Sequence, residues 1–265
     1  MEYADEPRLI FTPLTENDYC DFYELEMEAF NDDAVFYSNR LHSNGNVLEL
    51  GCGTGRLTRL LAGKCRHITG IDISAGMIDK ALRTLLANVS YHQMDMTDMD
   101  LREISFDKCF DTIVIPYNTL NLLGDPKKII KCLALCRKHL SPSGNLLLQL
   151  YHPLPATIAS REKIFQFTIF DDGCDGKIIK ETLKSYDKEY ATVLLEERYR
   201  VRPAGVSPRN RDLRHYLSFY APQLRGWKKL LQAAGFCITE SAGAYDGTPF
   251  TPEQDTTLML AASPA

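Results

Sequence analysis

Three glycines at alternate positions are the residues best suited to binding chemistry. Gly51, Gly53 and Gly55 follow an apolar run that carries Glu49, and leucines at helical spacing come after them. The pattern predicts a buried strand, a tight turn and the start of a helix. Glycine permits a positive φ and lets a ligand approach bare backbone, and free amides at a helix N-terminus favour polar or negative groups. We therefore expect a ligand at this turn.

Two aspartates at the ends of later strands indicate a nucleoside ligand. Asp72 ends the apolar run 67–72, and a carboxylate there can accept hydrogen bonds from both ribose hydroxyls. The alternative for Asp72 is a charge at the N-terminus of the helix that begins near Ser74. Asp95 follows the predicted strand 89–94, where a carboxylate can accept the exocyclic amine of adenine. A dehydrogenase would not normally place an acid at that second position.

The spacing of the glycines argues against a dinucleotide. The fingerprint G-x-G-x-x-G needs a third glycine where this chain has Arg56, because Gly55 comes one residue early. Asp72 would suit NAD as well as another nucleoside, so a nicotinamide-dependent oxidoreductase remains an alternative interpretation.

The segment 47–55 resembles the first motif of the class I S-adenosylmethionine (SAM) dependent methyltransferases. Asp72, Asp95 and the loop 116–123 resemble the motifs that follow in that family, in the same order and at similar spacing. The resemblance implies that SAM is the cofactor. It also implies that SAM is held by Glu49, Gly51, Cys52, Gly53, Gly55, Asp72, Ile73, Met77, Met94, Asp95, Met96, Tyr117 and Asn118.

The N-terminal segment 1–45 is expected to form a helical cap. In many enzymes of the family a tyrosine from this segment reaches the methyl donor, so the resemblance implies that Tyr37 contacts the cofactor and Tyr23 the acceptor. The alternative is a helix pair that only packs on the sheet.

The order of the predicted elements gives the fold class. Alternating strands and helices predict an α/β fold with a doubly wound, mostly parallel sheet, and the family resemblance implies seven strands in a Rossmann-like arrangement. That core is assigned to residues 46–152 and 223–265. Residues 153–222 show period-two alternation without helices, which predicts an inserted antiparallel β-lid over the acceptor.

Methyl transfer from SAM needs few catalytic groups, since aligning the acceptor and excluding water are the main tasks. His152, just past the fifth strand, is the expected general base, with Tyr117 as a weaker choice. An equally acceptable role for His152 is to order the turn before Pro153. No metal-binding pattern is found, so no metal dependence is expected.

The acceptor is expected to be a small molecule methylated at O or N. Arg200 lies on the face of its strand opposite Leu195, so an acidic acceptor follows if that face lines the crevice, and a solvated surface follows if it points outward. Tyr216 nearby makes an aromatic acceptor an equal alternative. Both Arg200 and Tyr216, together with His152, are predicted substrate contacts.

Composition excludes several classes of function. The 265 residues carry a net charge of -5, which argues against nucleic-acid binding. No apolar run approaches a membrane span and no signal peptide is recognised, so a cytoplasmic location is expected. The protein is also expected to be a monomer or a homodimer. Most of the scattered cysteines are expected to be small buried hydrophobic residues. A non-catalytic protein of the same fold is the second alternative to an enzyme.

Overall fold

A computed structural model describes residues 11–84, 86–100, 109–205 and 209–265. The first ten residues of the predicted cap 1–45 lie outside this part. In chain order the elements are β1 (Thr12–Pro13), α1 (Glu16–Met27), α2 (Asp33–Ser38), β2 (Asn46–Leu50), α3 (Arg56–Ala62), β3 (His67–Asp72), α4 (Ala75–Ala81), β4 (Val89–Gln93), β5 (Phe110–Ile115), α5 (Pro126–His139), β6 (Leu140–Tyr151), α6 (Pro155–Ala159), β7 (Ile164–Asp171), β8 (Lys177–Asp187), β9 (Thr192–Arg202), β10 (Arg211–Tyr220), α7 (Leu224–Ala233), β11 (Phe236–Ala242) and β12 (Thr257–Pro264).

Seven strands form the core sheet, in the order β4-β3-β2-β5-β6-β12-β11. Neighbours pair in parallel from β4 to β6, and β12 runs antiparallel to both β6 and β11. The central strands β2 and β5 are almost wholly buried apolar runs, as strands covered on both faces must be. The prediction of a doubly wound, mostly parallel seven-stranded sheet is confirmed.

The strand order reverses between β2 and β5. From β2 the chain proceeds outward through β3 to β4, and then returns to β5 on the other side. Ligands of open α/β sheets bind outside the carboxyl ends of the strands at such a reversal. The segments that leave these two carboxyl ends are the glycine turn at Gly51 and the loop that begins at Pro116.

A second, five-stranded sheet has the order β1-β10-β9-β8-β7. Its strands pair antiparallel except for β1 and β10, which are parallel. The predicted antiparallel insertion is therefore present, and the N-terminal strand β1 joins it, which the sequence did not indicate. One face of this sheet packs on α1, where Phe22 joins a buried cluster with Tyr199 and Leu213.

Helix α2 packs on the core sheet rather than on the second sheet. Its Phe36 and Tyr37 are buried with Val47 of β2 and Leu57 of α3. The two N-terminal helices therefore connect the core sheet with the five-stranded sheet, and α1 lies over the carboxyl ends of the core strands, where it lines the cavity described next.

Candidate active site

A cavity of about 540 Å³ lies at the strand-order reversal. One side is formed by the turns after β2, β3, β4 and β5. The other side is formed by α1 and by the inner face of strands β8, β9 and β10. A volume of this size accommodates a small-molecule ligand, and its two sides come from the two different sheets.

The glycine turn has the left-handed backbone that its sequence predicts. Gly51 and Gly53 have φ of 71° and 55°, and the amide of Gly51 donates to the Ile71 carbonyl at 2.8 Å. A Cβ on Gly51 would lie 2.2 Å from the Thr119 methyl, whereas a Cβ on Gly53 would lie 3.4 Å or more from Tyr23. Gly51 therefore permits close packing of the β5 loop, and Gly53 leaves bare backbone facing the cavity.

Asp72 lines the cavity beside this turn and fixes its shape. Its Oδ2 accepts from the amide of Gly53 at 2.8 Å, and its Oδ1 accepts from the amide of Ser74 at 2.9 Å. Burial raises the pKa of Asp72, and the backbone hydrogen bonds act against that rise. Asp72 therefore holds the amide of Ser74, the N-cap residue of α4, and presents a carboxylate to the cavity. Its contact with a ribose stays a prediction.

Next to Asp72, the cavity wall is formed by apolar side chains and one further carboxylate. Ile73 is 66% exposed at the cavity, and Met77 and Met96 line the same side. Asp95 also lines it, with Oδ1 accepting from the amide and hydroxyl of Thr97 at 2.7 and 2.8 Å. Its Oδ2 has no hydrogen-bond partner in the described part of the chain. This part of the wall therefore offers apolar contact and one carboxylate oxygen to a flat polar ring, which fits adenine.

The loop after β5 presents Tyr117 and Asn118 to the cavity in an uncommon backbone conformation. Their φ values are 48° and 62°, a region that is costly for residues other than glycine. Gln149 of β6 holds the pair: its Oε1 accepts from the Tyr117 amide and its carbonyl accepts from the Asn118 amide, both at 3.2 Å. Its Nε2 donates to the Tyr245 hydroxyl at 3.1 Å. Sequence reasoning missed Gln149, although an amide within the apolar run 146–150 was a usable signal.

Several predicted cofactor contacts do not lie on the cavity wall. Tyr37 is buried in the core, edge-on to Phe36 at 5.5 Å, and Met94 packs against the main core cluster. Cys52 is buried behind the turn with Ile78. These placements correct the expectation of direct contact. The side chains of Cys52 and Met94 turn inward beside residues that line the cavity, whereas Tyr37 belongs to α2, which packs on the core sheet. Gly55 and Glu49 also lie away from the wall.

Glu49 lies beneath the glycine turn and is buried. Its Oε2 accepts a hydrogen bond of 2.6 Å from the Thr58 hydroxyl. Burial raises the pKa of Glu49 to about 8, with the Thr58 hydrogen bond and the charge of Arg56 acting in the opposite direction. The Glu49 side chain therefore supports the turn from below rather than binding ligand through the cavity wall.

The raised pKa of Glu49 predicts a pH-dependent stability. The unfolded carboxyl titrates near 4.5, so between about pH 4.5 and 8 the native state holds a proton that the unfolded state has lost, and stability falls as pH rises through that window. Glu49→Gln is expected to lose less stability than the parent protein across that window, measured by urea unfolding at a series of pH values. Glu253→Gln, at an exposed position, is the matched control. Parallel profiles for Glu49→Gln and the parent would contradict the prediction.

His152 does not reach the cavity. It is 1% exposed, its amide donates to the Thr256 carbonyl at 2.8 Å, and its ring lies 5.0 Å from Phe250. Burial lowers the pKa of the ring. The expected roles as general base and substrate contact are therefore corrected to the structural alternative, because the side chain packs beneath the loop between β11 and β12.

Arg200 and Tyr216 point away from the cavity. Arg200 Nε donates to Glu181 at 2.8 Å, and Tyr216 is 62% exposed and accepts from Arg214 at 2.9 Å. The opposite face of the same strands supplies the cavity wall through Leu195 and Tyr199. The outward alternative for Arg200 is thus correct, and its assignment with Tyr216 to the substrate is not supported. Tyr23, the other predicted substrate contact, does line the cavity.

A group of charged residues on the inner face, here called the Lys180 network, was missed by sequence reasoning. Lys180 Nζ lies 2.8 Å from Glu26 Oε2 and 3.0 Å from Glu197 Oε1. The Tyr199 hydroxyl donates to Glu197 Oε2 at 3.2 Å, and His215 Nδ1 lies 3.5 Å from the same oxygen. Lys180, Glu26, Glu197 and Tyr199 line the cavity. The available signal was Glu197, a carboxylate in the apolar row of β9.

Comparison with known proteins identifies one domain of the chain. Residues 47–144 match the family model described as a methyltransferase domain. Residues 47–144 carry a methyltransferase domain. The chain is 33% identical over 112 residues to YqeM of Bacillus subtilis strain 168, which is named as a methyltransferase, covering 42% of this chain and 44% of that protein. It is 34% identical over 107 residues to a malonyl-[acyl-carrier protein] O-methyltransferase of Priestia megaterium, covering 40% and 36%.

The fold of the chain is similar to that of a solved structure. SAM-bound CalS10, an amino pentose methyltransferase from Micromonospora echinaspora, superposes with a TM-score of 0.72 at 19% identity, over 97% of this chain and 99% of that one. The predictions of family, fold class and SAM as the family's cofactor are confirmed. The matched segments span less than half of the two curated relatives, so the acceptor is not carried over from them.

Neither a metal-binding group nor a membrane-spanning helix is found in the described residues. They contain no group of three or more His, Cys, Asp or Glu side chains arranged to hold a metal ion. Within the same residues, no helix combines the length and apolar character needed to cross a bilayer. Cys132 and Cys136, one helical turn apart, are both buried and free, and they pack in the main core cluster.

Proposed function

We propose that the protein transfers a methyl group from SAM to an oxygen or nitrogen of a small molecule bound between its two sheets. One observation carries this proposal: a single cavity joins the backbone of Gly53 and the carboxylates of Asp72 and Asp95 to the inner face of the five-stranded sheet. The first side suits a nucleoside with an amino-acid tail. The second side is then free for the acceptor.

The residues on the cofactor side fit SAM in their chemistry. Gly53 offers backbone without a side chain, Asp72 offers a carboxylate for ribose hydroxyls, and Ile73 and Met96 offer apolar contact for adenine, with Asp95 at the edge of the ring. When bound, SAM supplies an electrophilic methyl group with a good leaving group. The chain itself must bind, orient and exclude water.

The described cavity residues contribute to methyl transfer by orienting the acceptor and by excluding water. Burial raises the pKa of Tyr19 to about 12, and it raises the pKa of Tyr23 and Tyr117 above the ordinary value of a phenol. These hydroxyls therefore stay protonated near neutral pH and act as hydrogen-bond donors rather than bases. The apolar side chains of Leu195, Leu217 and Phe219 exclude water opposite them. This arrangement suits catalysis by proximity and desolvation.

A pair of neighbouring leucines on β9 tests the location of the acceptor. Leu195 lines the cavity, whereas Leu194 is exposed on the other face. Formation of S-adenosylhomocysteine (SAH) from SAM would be measured with a fractionated metabolite pool. Leu195→Trp is expected to lower turnover about tenfold or more by filling acceptor space, with SAM affinity changed by less than about threefold. Leu194→Trp is expected to change neither.

Three outcomes would overturn the proposal. Unchanged turnover in Leu195→Trp would remove the acceptor from this cavity. Absence of SAM binding together with saturable binding of NADH, followed by fluorescence, would instead favour the oxidoreductase. SAM binding without SAH formation in any fraction would favour the non-catalytic alternative. The same proposal predicts that the acceptor is a small molecule and that the protein is a monomer or a homodimer.

A further inference from the structure

The charged side chains on the cavity wall are predominantly acidic. Four carboxylates and one ammonium line the cavity among the described residues, a formal charge of −3. Two of the carboxylates belong to the side that fits the cofactor, and the other two share the single ammonium on the acceptor side. In their order along the chain these residues are Glu26, Asp72, Asp95, Lys180 and Glu197.

Lys180, Glu26 and Glu197 together carry a formal charge of −1. Burial lowers the pKa of Lys180, but the charges of Glu197 and Glu26 outweigh it and raise the pKa above its ordinary value. Burial would likewise raise the pKa of Glu197, but the neighbouring His215 and Lys180 lower it overall. One lysine therefore stands between two carboxylates. Oε1 of Glu26 makes no hydrogen bond within the described part of the chain.

The cations that an acidic acceptor would need lie elsewhere. Arg198, Arg200 and Arg214 surround the ring of Phe11 at 5.3 to 5.6 Å on the opposite face of the five-stranded sheet. Arg198 pairs with Glu196 at 2.8 Å on that face. A carboxylate or phosphate entering the cavity would therefore meet uncompensated negative charge in surroundings of low dielectric, which is costly.

We propose that the acceptor carries a basic nitrogen that is bound as a cation by Glu26 and Glu197 beside Lys180. The cation would supply the second positive charge that two carboxylates require, and Leu195, Leu217 and Phe219 would pack on its hydrocarbon body. This inference rests on the proposed function and names its substrate class. It concerns the group that anchors the acceptor and not the atom that receives the methyl group.

Two matched sets of probes test this preference for a cation. One set is tyramine, tyrosol and 4-hydroxyphenylacetate, and the other is cyclohexylmethylamine, cyclohexylmethanol and cyclohexanecarboxylate. Binding to the full chain is measured by calorimetry with SAH present. Each amine is expected to bind at least about tenfold more tightly than its alcohol, and the carboxylates are expected not to saturate below about 10 mM. Equal or tighter binding of the alcohols or carboxylates, or no saturable binding of either amine, would overturn the inference.

Neighbouring glutamates on β9 provide the variant and its control. Glu197→Gln is expected to reduce the preference for amine over alcohol by about tenfold, because it removes one of the two charges. Glu196→Gln, on the opposite face, is expected to preserve the preference. Thermal unfolding verifies that each variant is folded. A preference that survives in Glu197→Gln would contradict the assignment.

SAH affinity separates this inference from the proposed function. If SAH binds the parent and both variants alike while no amine preference is seen, the substrate class is wrong and the cofactor site stands. If SAH does not bind the parent, the proposed function fails, and the same probe series without SAH still decides whether the cavity selects a cation.

Discussion

Asp72→Ala is expected to weaken SAM binding by about 100-fold or more. The substitution removes the carboxylate offered to the ribose, and it also releases the amides of Gly53 and Ser74 that Asp72 now holds at 2.8 and 2.9 Å. Hydrogen bonds to a charged group contribute about 1.5–3 kcal/mol each, so two or more lost bonds account for the expected factor. Equilibrium calorimetry with SAM is the measurement.

Gly53→Val is expected to lose SAM binding for a different reason. A side chain at φ of 55° is strained, and it would project across the cavity toward Tyr23. Gly63→Val is the matched control, because its φ is −72° and its Cβ would meet open space. Asp79 is exposed on α4, and Asp79→Ala is the matched control for Asp72→Ala. Undiminished SAM binding in both Asp72→Ala and Gly53→Val would refute the assignment of the cofactor site.

Arg56→Met is expected to destabilise the protein by about 3–5 kcal/mol. The Arg56 guanidinium donates to both oxygens of Asp33 at 2.8 and 2.6 Å, and the Asp33 carboxylate is 0% exposed. It also donates to the Phe30 carbonyl at 2.8 Å and lies 4.9 Å from the Phe30 ring. Loss of the guanidinium leaves a buried charge without a counterion. Urea unfolding would measure the change in the free energy of unfolding.

A double variant distinguishes an unpaired charge from lost packing. Asp33→Leu combined with Arg56→Met removes the stranded carboxylate, and is expected to be at least about 1 kcal/mol more stable than Arg56→Met alone. Arg66→Met, at an exposed position, is expected to change stability by less than about 0.5 kcal/mol. A double variant less stable than the single one would mean that packing, rather than the buried charge, dominates.

The sequence predicted which turns line one side of the cavity because these turns follow the ends of predicted strands. Gly53, Asp72 and Asp95 come from three consecutive turns whose positions follow from strand and helix periodicity alone. Arg56 shows the limit of the same reasoning. In the sequence Arg56 argues only against a dinucleotide fingerprint, because its contact with Asp33 joins segments 23 residues apart.

The acceptor side could not be predicted because its residues meet only through tertiary packing. Lys180 and Glu197 come from neighbouring strands of the lid and Glu26 from α1, so no local pattern links them. The orientation of the five-stranded sheet determines whether Glu197 or Arg200 faces the cavity. Alternation along β9 places these two residues on opposite faces but does not indicate which face is inward. The prediction that His152 acts as a general base was wrong for a related reason. The loop between β11 and β12 that covers His152 lies about a hundred residues further along the chain.

The position of β12 has a consequence for biosynthesis. This strand fills an interior place in the core sheet, between β6 and β11, yet it comes more than a hundred residues after β6 in the chain. At ribosomal rates of about 5–20 residues per second, one edge of β6 stays unpaired for roughly ten seconds after it has been made. A nascent chain in that interval exposes a long apolar strand edge, so binding by chaperones and the risk of aggregation should be concentrated there.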